Sequence, residues 1–86
     1  MATSYLNKCR ASLPALRASL ERSEFEAMRI SGHNLKGTGG AYGFQALTAI
    51  GASMEHAASD QSAGELQKQL AALEGYLSVI EVAASD

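Results

Sequence analysis

The chain is 86 residues long, 47% hydrophobic, with a net charge of −2 and a single cysteine. That is enough apolar surface for one packed core and excludes a disordered chain, while seven scattered basic residues form no stripe for nucleic acid or an anionic membrane. Cys9 has no disulfide partner, no CxxC or histidine cluster suggests zinc, and no run approaches the ~20 apolar residues of a membrane span. The expectation is one domain over residues 1–86, cytoplasmic and reduced, with no nucleic-acid or membrane partner.

Four segments repeat apolar or small residues at steps of three and four, the period of an amphipathic helix. The first carries Leu6, Cys9, Leu13, Leu16 and Leu20, which makes Cys9 a buried structural thiol. Pro14 lies inside it; proline removes a backbone donor and crowds the preceding turn, so a kink or a fresh start near Ser12 is expected. The second carries Phe25, Met28, Gly32, Leu35, Gly39 and Tyr42. Ser23 followed by Glu26 has the spacing of a capping box, and Gly43 suits a helix C-terminus, where a left-handed residue ends the turn. The third carries Phe44, Leu47, Ile50, Met54 and Ala57, and the fourth Leu66, Leu70, Leu73, Leu77 and Ile80. No stretch alternates with the period of two that a half-buried strand shows. Short loops make neighbours antiparallel, so the expected fold is all-α, an up-down-up-down antiparallel four-helix bundle.

One feature works against helix formation. Between His33 and Phe44 stand four glycines, and each costs a helix interior roughly 0.5–1 kcal/mol relative to alanine. Gly39 falls on the core seam, where it permits close helix packing. Gly37 and Gly40 fall on the opposite side, in line with Ile30 and His33. His33 itself is about 100° from Gly32 and therefore outside the seam, with Lys36 one turn away. Glycines on that face clear an approach to the histidine.

A second residue is placed by symmetry. If the second and third segments fold back on one another near Phe44, His33 lies eleven residues before the bend and Glu55 eleven after it. Glu55 can then face His33 across the pair. A carboxylate accepting from Nδ1–H fixes the tautomer and leaves Nε2 a bare nucleophile, and Lys36 adds a cation for a bound anion such as phosphoryl. His56, adjacent to Glu55, points about 100° away and reads as a solvated histidine.

The run His33, Leu35, Lys36, Gly37, then five residues and Gly43, with Glu55 following Met54, resembles the histidine-containing phosphotransfer (HPt) domains of phosphorelays, whose signature is roughly HxLKG and a later glycine. The resemblance covers nearly the whole chain and is strongest to the small stand-alone bacterial members. It departs at Pro14 in the first helix and at Thr38, where a serine is common. It implies that His33 accepts a phosphoryl group through Nε2 and that Lys36 stabilises its charge. It further implies that Ile30, Gly37 and Gly40 form the docking face, that Glu55 orients the ring and that Gly43 is structural. The implied partners are response-regulator receiver domains and a hybrid histidine kinase. The chain would be a monomeric carrier rather than an enzyme, with no cofactor of its own and Mg²⁺ supplied by the receiver. Two other readings compete. Gly32-xxxx-Gly37 is half of a phosphate loop, but Thr38 stands where its lysine belongs and no strand precedes it. A scaffold that binds a receiver or kinase without chemistry would not need the His33–Lys36 pair.

Overall fold

In the computed structural model the chain is described over residues 2–84, and its side chains over residues 3–80. Four helices are present among the described residues, with no strand: α1 (Ala2–Glu21), α2 (Phe25–Ala41), α3 (Gln45–Ser59) and α4 (Ala63–Ala84). Each packs on its neighbour in sequence, and α1 closes the ring against α4. With only three residues between successive helices, the chain must reverse each time, giving an up-down-up-down bundle. Its core contains Leu6, Cys9 and Leu16 from α1, Met28 from α2, Leu47 and Met54 from α3, and Leu66, Leu70, Leu73 and Leu77 from α4. Tyr5 and Ala58, off the periodic seams read from sequence, are buried with them.

Three expectations are corrected. First, α1 runs unbroken through Pro14, with no restart at Ser12. Interior proline costs about 3 kcal/mol. Leu6 and Leu16, on either side of it, are both buried, and each contributes about 1.5–3 kcal/mol, which is enough to hold one continuous helix. Pro14 itself is exposed, and the Ser12 hydroxyl donates to the Cys9 carbonyl oxygen at 2.7 Å.

Second, Ser23 and Glu26 form no capping box. The N-cap of α2 is Glu24, without a side-chain cap bond, and Ser23 has a left-handed backbone at φ 57°. The reason is that Ser23 ends α1 instead of starting α2. Its N–H reaches the Leu20 carbonyl, and the Glu24 N–H reaches the Ser19 carbonyl at 2.9 Å, the paired bonds of a Schellman turn. The same device closes α2 through Gly43 (φ 82°) and α3 through Gln61 (φ 56°).

Third, Tyr42 is not a core residue. It is the C-cap of α2 and about half exposed, with its ring stacked on Tyr5 at 4.4 Å between centroids and 7° between planes.

Candidate functional site

The pairing of α2 with α3 is the most extensive in the bundle, and glycine is what lets it close. A Cβ on Gly32 would sit 2.6 Å from the Glu55 backbone nitrogen, and one on Gly39 would sit 2.9 Å from that of Thr48. A Cβ on Gly51 would collide with the backbone nitrogen of Lys36 and would lie 2.7 Å from the Gly32 carbonyl oxygen. The two backbones are thus in contact, and Thr48 Oγ1 tightens them by donating to the Lys36 carbonyl at 3.2 Å.

That contact carries three polar side chains to one place. His33 Nδ1 lies 3.1 Å from Glu55 Oε2, and Lys36 Nζ lies 3.1 Å from Glu55 Oε1. One carboxylate therefore takes a different partner on each oxygen. The Lys36 hydrogen bond, with that of His33 adding, holds the Glu55 carboxyl below its ordinary range against an opposing push from desolvation. The carboxylate is then ionised at neutral pH and acts as an acceptor only, so Nδ1–H is the donor, and in the neutral ring Nε2 carries the lone pair. The His33 side chain is 62% exposed, and no described residue hydrogen-bonds Nε2.

On the same face of α2, Ile30 is 47% exposed and Gly37 has open space where a Cβ would stand. Gly40 is exposed too, and a Cβ there would come into ordinary contact with Thr48 Oγ1 at 3.4 Å. His56 stands apart from this group, largely exposed and paired with Asp60 at 3.2 Å. Cys9 is buried, which pushes its thiol up and keeps it protonated. Thr38, next to Gly37, donates to the Asn34 carbonyl at 2.9 Å; with that proton used, Tyr5 O–H is the donor in the 2.9 Å bond between the two hydroxyls. The N-terminal turns of α1 are thereby fastened to α2 beside the open glycine.

A histidine held at Nδ1, open at Nε2 and flanked by a lysine is fitted to take up an anionic group. The model of the Hpt domain family matches residues 1–83 of the chain. The chain belongs to the Hpt domain family. Hpt domains serve histidine phosphotransfer in phosphorelays, acting as phosphocarrier signalling modules that interact with receiver domains and histidine kinases. Neither the curated proteins nor the solved structures compared with the chain gave a match. Among the described residues, no helix is long and apolar enough to cross a membrane, and no three His, Cys, Asp or Glu side chains gather as metal ligands.

The sequence pattern named His33, Lys36, Glu55 and the open glycines. It missed Gly51 and Thr48, which form the other side of the crossing. A signal for them existed. Gly32 lies eleven residues before Gly43 and Glu55 eleven after Phe44; Lys36 and Gly51 lie seven from the same bend, and Gly39 and Thr48 four. At each height a glycine faces a larger residue.

Proposed function

We propose that this Hpt domain accepts a phosphoryl group on His33 from a receiver-domain aspartate and passes it to a second receiver or returns it to a kinase-linked one. The observation that supports this reading is the His33 ring itself, bonded to Glu55 at Nδ1 and open to solvent at Nε2. In the transfer, the Nε2 lone pair attacks phosphorus in line with the aspartyl oxygen. The P–N bond forms as the P–O bond breaks, and the electron pair of that bond leaves on the aspartate carboxylate. The ring becomes a phospho-imidazolium that keeps its Nδ1 proton, and the adjacent Glu55 carboxylate balances the new positive charge. Lys36, one helical turn from His33, supplies a cation for the phosphoryl oxygens. Gly37, Gly40 and Ile30 serve as the face on which the receiver sits. The chain works as a monomeric cytoplasmic carrier, and Mg²⁺ enters the reaction with the receiver's acidic pocket.

The test is phosphorylation of the purified chain by a phospho-receiver and, separately, by phosphoramidate. An acid-labile, base-stable label is expected on native protein and absent from His33→Gln, whose melting temperature stays within a few degrees because the side chain lies outside the core. Label retained in His33→Gln moves the acceptor elsewhere. Receiver binding without any label favours the scaffold reading.

A further inference from the structure

The reciprocal seating of α2 on α3 has a specific relation to the reacting groups. Glu55 and Lys36, the two residues that converge beside His33, each have a backbone that rests on a glycine of the opposite helix: Glu55 on Gly32, and Lys36 on Gly51. Gly32 and Lys36 are one turn apart on α2, and Gly51 and Glu55 one turn apart on α3, so the four residues interlock in a single crossing. We propose that Gly51 and Gly32 are positioning residues for the phosphoryl acceptor, setting the helix separation that lets the Glu55 carboxylate reach Nδ1 of His33. This rests on the reading of His33 as the acceptor and adds the element that holds it in its reactive tautomer.

Both side-chain contacts of Glu55 measure 3.1 Å, close to the outer limit of a good hydrogen bond. A methyl group at Gly51 would meet backbone on α2: the nitrogen and Cα of Lys36 and the Gly32 carbonyl. Backbone of a hydrogen-bonded helix does not rotate aside as a side chain does. The helices must instead part, and the carboxylate then withdraws from the ring. With no acceptor at Nδ1 the imidazole proton resides mainly on Nε2, which blocks the attacking lone pair. Gly39 also meets backbone across the pair, at Thr48 and Leu47 nearer the bend, but not at a residue that touches His33. Gly75 and Gly64 face open space.

The experiment compares native protein with Gly51→Ala, Glu55→Ala, the double variant, and Gly75→Ala as control. The readouts are the His33 tautomer by ¹⁵N NMR at alkaline pH, the labelling rate with phosphoramidate, and helicity and melting temperature by circular dichroism. Expected are a mainly Nδ1–H ring in native protein and in Gly75→Ala, and a mainly Nε2–H ring in Gly51→Ala and Glu55→Ala. Labelling in those two should fall roughly ten- to a hundred-fold, the scale of a misplacement near one ångström. In the Glu55→Ala background, Gly51→Ala should change neither tautomer nor rate further. A native tautomer and rate in Gly51→Ala, or an equal slowing in both backgrounds, overturns the proposal. If Gly51→Ala does not fold, Glu55→Asp decides: it withdraws the carboxylate by one carbon and leaves the crossing intact. Loss of the Nδ1–H tautomer in Glu55→Asp shows that the ring depends on the carboxylate's reach at the helix separation the crossing sets, and its retention, which would make that separation immaterial, overturns the proposal. Native protein that takes no label refutes the acceptor reading instead, while the ring tautomer still reports on the crossing.

Discussion

At the scale of single residues, the chemistry of the site depends on one carboxylate with two partners. Lys36 is the foremost cause of the lowered Glu55 carboxyl value, so Lys36→Ala should raise that value toward the ordinary glutamate range, measurable by ¹³C NMR of the side-chain carboxyl. The sign follows from linkage. A carboxyl whose value is depressed on folding favours the folded state above the unfolded carboxyl range, and that contribution disappears as pH falls through the folded value. Lys36→Ala should therefore lose the carboxylate at a higher pH than native protein does. It should also slow receiver-dependent transfer by roughly ten- to a thousand-fold, as expected for one lost charge-stabilising donor. An unchanged single-turnover rate would leave Lys36 as a partner of Glu55 alone. His33 and its surroundings were readable as residues because an exposed histidine beside a lysine and unneeded glycines makes little sense on a purely structural account.

At the scale of helices, one turn is used three times with three different residues. Ser23, Gly43 and Gln61 all take left-handed backbone conformations, and only the second is glycine. The left-handed region costs an L-residue roughly 1–2 kcal/mol, so Gly43→Ala should destabilise by about that much, with no clash to confuse the result because a Cβ there meets nothing within 4 Å. Gln61→Gly should stabilise by about 0.5–1 kcal/mol, once glycine's extra freedom in the unfolded chain is set against the relieved strain. Urea denaturation of both variants checks the pair, and opposite signs are expected. The Gly43 turn was legible in the sequence because glycine announces a left-handed residue. The Ser23 turn was misread because a serine three residues before a glutamate announces a helix start equally well. Local pattern could not choose between ending α1 and beginning α2. The Schellman bonds, which satisfy two carbonyls at the end of α1, made the choice.

At the scale of the whole molecule, the proposed docking would set partner access against folding on the α2 surface. Gly37 is exposed and nothing fills the space where its Cβ would be. Gly37→Gln should keep or raise thermal stability, by about 0.5–1 kcal/mol from helix propensity, since no neighbour is displaced. It should reduce transfer from a phospho-receiver, because a larger side chain one turn from His33 holds the docked protein off. Phosphoramidate, which needs no docking, should label the variant at the native rate. Stability and receiver transfer would then move in opposite directions in one protein. A Gly37→Gln variant that transfers normally would remove that glycine from the docking face.

The four helices, most of the leucine and methionine core, and the face on which His33 lies were legible in the chain alone. These follow from periodicity, and periodicity is a local property of the chain: a residue's angle around its own helix is known once the helix is. The register between helices is not local. Tertiary packing alone decided that Gly51 would seat Lys36, that Thr48 would bond the Lys36 carbonyl, and that Glu55 would hold His33 and Lys36 at 3.1 Å each. Symmetry about the bend at Gly43 and Phe44 put Glu55 at the right height, but height does not specify how far apart two helices stand. That separation is set by backbone meeting backbone where both helices lack a side chain. Pro14 shows the same division. Its local cost was evident in the sequence, yet α1 stays whole because Leu6 and Leu16 are buried together against the rest of the bundle.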